Sequence, residues 1–316
     1  MTETLAGARG AVARTLREGG IETPALDARL LLCHAAGLSH EALIARDDEG
    51  LAPDAASRLA GFIARRLQGE PVSRIRGLRE FYGRDFRVDG NTLDPRPDTE
   101  TLIDVALDVV ARNGWRTRPL RLLDLGTGSG CILLTLLAEL PAAQGVGTDK
   151  CEGALRLAAD NARRLGLEAR ARFAVADWLA GVEGRFDLIV SNPPYIPAAE
   201  IAGLAREVAA YDPRAALDGG ADGLDACRRI ADGAGLALAP GGLLVVEIGV
   251  TQAEPVAALF RAAGLKVEAD NVRLDLAGRP RCVLAGSPLK GPIEGPRPPK
   301  MSLEYPDVQG RFVATE

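Results

Sequence analysis

Arg121-Leu122-Leu123-Asp124-Leu125-Gly126-Thr127-Gly128-Ser129-Gly130-Cys131-Ile132-Leu133-Leu134 is the stretch that decides the fold. An apolar strand over 121–125 runs into a glycine-rich turn that opens a helix over 131–140, the context a nucleotide-binding turn requires. Glycine suits such a turn because a side chain would block close approach of the backbone to a ligand. Tight strand–helix turns also use glycine for geometry alone, so the run takes its meaning from its surroundings. Outward from it, further strands are expected at 145–148, 172–175, 186–190, 243–248, 266–272 and 281–285, with helices at 154–165, 222–238 and 252–263. Repeated strand–helix units imply a parallel sheet covered on both faces, a Rossmann-like α/β architecture with seven strands.

Asp149 closes the second strand, and a carboxylate there can accept both hydroxyls of a ribose. The glycines of the turn are spaced G-x-G-x-G rather than in the dinucleotide form G-x-G-x-x-G, so a pyrophosphate is not expected and S-adenosyl-L-methionine is the better fit. Asp177-Trp178 ends the third strand, where a carboxylate can meet an adenine amine and an indole can pack on its ring; plain core packing is the competing reading of Trp178. Ser191-Asn192-Pro193-Pro194-Tyr195-Ile196 follows the fourth strand directly. In an open parallel sheet ligands bind at the carboxyl ends of the strands, which puts this loop beside the glycine turn. Two prolines alone can form a rigid turn, but that does not explain why an amide and an aromatic ring bracket them here.

The rest of the 316-residue chain falls into distinct parts. Residues 1–75 read as a helical bundle: Leu5, Val12 and Leu16 start one apolar stripe, Pro24 and Pro53 sit at first helical positions, and Gly37 stops the second helix. Leu26, Leu30, Leu31, Leu59 and Leu67 are expected to face inward, and His34 and His40 to be ordinary packed or surface residues. Residues 76–90 read as a hairpin linker, 91–286 as the sheet domain, and 287–316, with six of the chain's 20 prolines, as a flexible tail. Lys+Arg number 38 against 43 Asp+Glu, a net charge of -5, which argues against direct nucleic-acid binding. Five scattered cysteines and two histidines give no metal-ligand spacing and suit a reducing compartment. The charged N-terminus is not a secretory signal, and no apolar run is long enough for a membrane span; a cytoplasmic monomer without membrane contact is expected.

Asn192-Pro193-Pro194-Tyr195 after the fourth strand, with the Gly126–Gly130 turn and Asp149, resembles the adenosylmethionine-dependent methyltransferases that modify planar nitrogens. More narrowly, the chain is similar to the HemK/PrmC family, the peptide chain release factor glutamine methyltransferases, over roughly residues 10–286. The likeness runs through Thr23-Pro24-Ala25-Leu26-Asp27-Ala28-Arg29, Gly69-Glu70-Pro71-Val72, Arg79-Glu80-Phe81-Tyr82, Pro95-Arg96-Pro97-Asp98-Thr99-Glu100, Asp212-Pro213, Asp222-Gly223-Leu224-Asp225, Pro240-Gly241-Gly242 and Glu247-Ile248-Gly249. It departs at Asp94, at Pro280 and in the tail.

The resemblance implies a class I methyltransferase sheet with a small N-terminal all-helical domain that docks the substrate. It also implies methyl transfer to the glutamine of a Gly-Gly-Gln loop in release factors. Cofactor contacts carry over to Gly126, Thr127, Gly128, Ser129, Gly130, Asp149, Trp178 and Asn192, and Asp177 joins them on the strand-end argument above. Asn192, Pro193, Pro194 and Tyr195 become the substrate contacts, with Asn192, Pro193 and Tyr195 catalytic. An amide nitrogen is a poor nucleophile because its lone pair is delocalised, so acceptors around the NH2 are the useful groups. The Asn192 side-chain oxygen and the Pro193 carbonyl are the candidates, and Tyr195 can stack on the flat amide. Arg96 and Glu100 have no assigned role, and Glu247 reads as a strand-end carboxylate. Competing substrates are a ribosomal-protein glutamine and the amine of a nucleic-acid base; a non-catalytic cofactor-binding adaptor is the reading from another class.

Overall fold

The structure is a computed structural model and describes residues 3–268 and 270–289, together with the backbone of a two-residue antiparallel ladder, Tyr305–Pro306 against Phe312–Val313. The expected tail, 287–316, lies mostly outside the described residues. The chain forms two compact units, one of residues 1–78 with 205–211, the other of 79–204 with 212–316. No helix among the described residues is long and apolar enough to cross a membrane.

The first unit is helical: α1 (Leu5–Glu18), α2 (Pro24–Ala36), α3 (His40–Ala45), α4 (Pro53–Leu67), α5 (Val72–Arg76) and, from the later segment, α9 (Arg206–Tyr211). Thr4 and Ser39 cap α1 and α3 by accepting from the backbone N–H groups of Gly7 and Ala42, both at 3.1 Å. Pro24 and Pro53 occupy first-turn positions, and Gly37 ends α2 in the left-handed region at φ 67°. Leu16, Leu31, Leu32, Leu43 and Leu59 form the core. Leu26 and Leu67, expected inside, are exposed. The buried face of α2 runs instead through Asp27, Ala28, Leu31, Leu32 and Ala35. Charge explains the rotation: Arg66 Nε on α4 donates to Asp27 Oδ2 at 2.6 Å, and Arg66 Nη2 lies 2.6 Å from Glu207 Oε1 on α9. His34 is exposed and stacks on Phe62 at 5.0 Å between centroids.

The second unit starts at Arg79, one residue into a hairpin, β1 (Leu78–Phe81) and β2 (Arg84–Arg87), whose two turn residues, Tyr82 and Gly83, both have positive φ, as a tight hairpin turn requires. After α6 (Glu100–Arg112) come β3 (Arg121–Leu125), α7 (Cys131–Glu139), β4 (Gln144–Asp149), α8 (Glu152–Arg164), β5 (Ala171–Val175) and β6 (Phe186–Ser191). Then follow α10 (Asp225–Ala237), β7 (Leu238–Glu247), α11 (Ala253–Ala262), β8 (Val272–Leu274) and β9 (Pro280–Gly286). The seven strands are ordered β5-β4-β3-β6-β7-β9-β8. Side chains alternate between two apolar layers: Leu122, Leu188 and Val245 face α6, α7 and α8, while Leu123, Ile189 and Leu244 face α10 and α11.

The sheet is mixed rather than wholly parallel: β9 runs antiparallel to both β7 and β8. β8 and β9 are joined by a tight turn in which Asp275 Oδ1 accepts from Ala277 N and Arg279 N, too short for a parallel crossover. The strand expected at 266–272 shrinks to Val272–Leu274, with Lys266 kept only as an isolated bridge to Gly286. β7 starts earlier than expected and is irregular opposite Phe186, where a Cβ on Gly242 would stand 2.8 Å from the Phe186 carbonyl oxygen. α10 starts later than expected, at Asp225, because Gly223 is left-handed at φ 77° and Asp222 Oδ1 accepts from Leu224 N.

Candidate active site

After β5 the chain returns to the other side of β3, so β3 and β6 flank the point where the winding direction reverses, the place where open α/β sheets bind ligands. Register aligns the strand ends there: Leu125 pairs with Thr148 and with Ser191, Ser191 with Val246, and Glu247 with Cys282. The glycine turn, Asp149, Asn192 and Glu247 therefore leave the sheet along one edge.

The glycine turn is built for backbone exposure. Gly126 and Gly128 have φ of 70° and 53°, and a Cβ on either would meet nothing nearer than 3.8 Å, so the space in front of them is open. Gly128 N donates to Asp149 Oδ2 at 3.0 Å and Cys151 N to Oδ1 at 2.9 Å, which fixes the plane of that carboxylate. Burial raises the Asp149 pKa, against the pull of those two N–H groups. Behind the turn, Asp124 Oδ2 accepts from Thr127 Oγ1 at 2.7 Å, while Oδ1 is buried with no partner. Complete burial pushes its pKa up to about 7, despite the Thr127 bond. Trp178, itself left-handed at φ 58°, lays its ring toward Gly126, the near wall of that open space, and also packs on the core. The Asp177 carboxylate points elsewhere, into an ion pair with Arg229 of α10.

The Asn192–Tyr195 loop is clamped from three sides. Asn192 Nδ2 donates to Thr99 Oγ1 at 3.0 Å, leaving Oδ1 as the end of the amide available to a ligand. The Tyr195 carbonyl accepts from Gln252 Nε2 at 2.9 Å, and the same NH2 reaches Gly223 O at 3.2 Å. Gln252 Oε1 accepts from Gly249 N at 2.9 Å. Ile196 pairs with Asp218, extending the loop as a short parallel bridge. Gly223 has to be glycine: a Cβ there would fall on the Tyr195 carbonyl oxygen and stand 2.6 Å from Gln252 Nε2. The Tyr195 hydroxyl is pushed up to about 12, first by burial and then by the Glu247 charge.

Glu247 is 1% exposed and one of its oxygens, Oε2, has no partner. Burial lifts its pKa to about 7, with hydrogen bonds from Thr99 and Tyr195 and the Arg281 charge pulling the other way. Sequence reasoning treated Glu247 as a bare strand end and gave no role to Thr99, Gln252 or Asp124. Arg96 and Glu100 prove to be anchors. Arg96 pairs with the buried Asp212 carboxylate, and Glu100 Oε1 accepts from Tyr82 N at 2.9 Å. Asp94, where the sequence departs from the pattern, is buried, lies 3.7 Å from Arg79 and has its backbone N–H on Asp212 Oδ1.

A seven-stranded sheet with a glycine turn, a carboxylate-tipped second strand and an Asn-Pro-Pro-Tyr loop at its switch point defines a methyltransferase fold. Residues 101–212 match the family described as methyltransferase small domain, and residues 8–77 the family described as PrmC N-terminal domain. Among solved structures, the hMettl16 catalytic domain bound to the MAT2A 3'UTR hairpin 6 has the same fold, with a TM-score of 0.51 at 18% identity over 77% of this chain and 84% of that one. Closer relatives narrow the class. The release factor glutamine methyltransferase of Rhodospirillum rubrum is 52% identical over 278 residues, 88% of this chain and 83% of the relative. That of Bradyrhizobium diazoefficiens is 49% identical over 283 residues, 90% and 95% of the two chains. The chain belongs to the release factor glutamine methyltransferase family.

Proposed function

We propose that this protein transfers a methyl group from S-adenosyl-L-methionine to the side-chain amide nitrogen of the glutamine in the Gly-Gly-Gln motif of peptide chain release factors. It does so as a cytoplasmic monomer, without membrane or direct nucleic-acid contact. Family membership supports the reaction. The observation that carries the site is the Asn192–Tyr195 loop, clamped at the switch point with the Asn192 amide oxygen turned away from its protein partner.

The strand-end residues suit adenosylmethionine. The open face at Gly126 and Gly128 admits a ligand against the backbone, while Thr127, Ser129 and Gly130 are buried behind it, Gly130 against Leu134 and Ala158; Asp149 offers two acceptor oxygens to a ribose diol, and the Trp178 ring beside Gly126 offers a flat apolar surface. Asp124 and Glu247 each keep one unpartnered buried oxygen at this edge, negative charge that suits a cation. Asp177 would join the set only on leaving Arg229. When bound, adenosylmethionine supplies an electrophilic methyl group on a positively charged sulfur.

The protein's own work is alignment. Asn192 Oδ1 and the Pro193 carbonyl accept hydrogen bonds from the substrate NH2 and favour a pyramidal nitrogen whose lone pair is free for the methyl group. Pro193 and Pro194 keep the carbonyls from turning, and the Tyr195 ring lies against the amide plane. No strong base is required, because the nitrogen becomes acidic on alkylation and sheds its proton through those acceptors. Catalysis then rests on preorganised dipoles, worth on the order of 10²–10³-fold for one such group.

Methyl transfer from labelled adenosylmethionine, with release factor, ribosomal proteins and total RNA offered in parallel, tests the reading. Label on the release factor supports it. Label confined to ribosomal protein or RNA would replace the substrate, and cofactor binding with no label anywhere would favour the adaptor.

A further inference from the structure

Gln252, the residue before α11, is 8% exposed, and its side chain bonds to three backbone groups. Gly249 N donates to Oε1 at 2.9 Å, while Nε2 donates to the Tyr195 carbonyl at 2.9 Å and to the Gly223 carbonyl at 3.2 Å. A backbone N–H only donates and a backbone carbonyl only accepts, so this amide has a single orientation. The main chain of Gln252 is pinned as well: its N–H donates to Gly249 O at 2.9 Å, and its carbonyl accepts from Val256 N at 3.0 Å. One immobile side chain thus joins the loop after β6, the bend before α10 and the chain leaving β7.

The surroundings leave this amide no room to move. A Cβ on Gly223 would stand 2.4 Å from the Tyr195 carbonyl oxygen and 2.6 Å from Gln252 Nε2, and one on Gly249 3.0 Å from Gln252 Oε1. The Tyr195–Ile196 peptide is held on both sides, its carbonyl by Gln252 and its N–H by Leu217 O at 3.1 Å. At the front of the same loop Asn192 is held by Thr99 at 3.0 Å, so the two prolines span a gap between fixed ends. The glycine turn and Asp149 have bonds of their own, from Gly128 N and Cys151 N, and do not depend on Gln252.

We infer that Gln252 is a positioning residue for methyl transfer: holding the Tyr195 and Gly223 carbonyls on one amide, it fixes where the Pro193 carbonyl and the Tyr195 ring meet the substrate. This rests on the proposed role of the Asn192–Tyr195 loop and says what sets the loop's rear end. Without that NH2 two carbonyls lose their donor, the Tyr195–Ile196 peptide is free to turn, and the loop leaves the aligned position part of the time.

The test compares Gln252→Met, Gln252→Asn, Gly223→Ala, the Gln252→Met/Gly223→Ala double variant and Asn192→Ala in steady-state methylation of release factor. The Kd of adenosylmethionine is measured by calorimetry, which also reports folding of each variant. Gln252→Met removes the donor at nearly constant volume and is expected to lower kcat roughly tenfold, with KM for release factor and Kd for the cofactor at wild-type values. Gln252→Asn keeps a buried amide but withdraws it from the Tyr195 carbonyl by one methylene, and should show the same split if Gln252→Met does not fold. Because Gly223→Ala disturbs the same carbonyl, the double variant should lose less than the product of the two single effects. A folded Gln252 variant with wild-type kcat, a loss confined to cofactor Kd, or multiplicative losses in the double variant would overturn the assignment while Asn192→Ala remains inactive. Normal turnover by Asn192→Ala would instead overturn the role of the loop itself.

Discussion

Buried charge is handled in opposite ways in the two units. In the helical unit Arg66 and Asp27 meet at 2.6 Å with both side chains 6% exposed, Thr23 donates to the second Asp27 oxygen at 2.9 Å, and Glu207 takes another guanidinium nitrogen. At the strand ends Asp124 and Glu247 are as deeply buried, yet each keeps one oxygen without a partner and is pushed up to about 7. The first arrangement holds helices in register and is complete. The second is incomplete at the strand ends, where the proposed cofactor would sit, and a buried acid left without a partner in a native structure calls for such an explanation.

The contrast breaks most visibly if the loop beside those acids is idle. Asn192→Ala should cut turnover by roughly 10³-fold while the Kd of adenosylmethionine, measured by calorimetry, changes little. Asp27→Ala addresses the complete cluster: leaving Arg66 buried with half its partners should cost about 3 kcal/mol of stability in urea unfolding, with kcat of the folded enzyme kept. Gly223→Ala should lower kcat by about tenfold or more, because the loop must shift to clear its Cβ. The smallest effect concerns pH. Carboxylates raised in the folded state bind protons that the unfolded chain releases, so their ionisation costs stability as pH rises from about 4.5 to 7. Without cofactor, Tm should therefore fall across that window, and Glu247→Gln should flatten the slope.

Much of this was legible in the sequence. Alternation of apolar runs placed all five parallel strands and the helices α7, α8 and α10 between them, though not the short α9, and the turn Gly126–Gly130, Asp149 and Asn192–Tyr195 converge on one edge of the sheet. Where local pattern failed, a distant partner was responsible. Lys266 to Val272 read as a strand, but among the described residues it pairs only at its two ends, Lys266 as an isolated bridge to Gly286 and Val272 in β8, and α2 is turned by a charge on α4. Thr99 and Glu247 carry no local signature: 148 residues separate them, and only the pairing of β6 with β7 sets Glu247 behind Asn192. Asp177 shows the converse, a residue at the right strand end whose carboxylate is held by Arg229.

The central claim is that the amide of one release-factor glutamine is the methyl acceptor. Mass mapping of release factor after reaction with labelled adenosylmethionine, beside a release factor whose Gly-Gly-Gln glutamine is replaced by alanine, tests it most directly. One added methyl group on that glutamine, and none on the substituted factor, is the predicted result. Equal labelling of both factors, or label at any other residue, would contradict it.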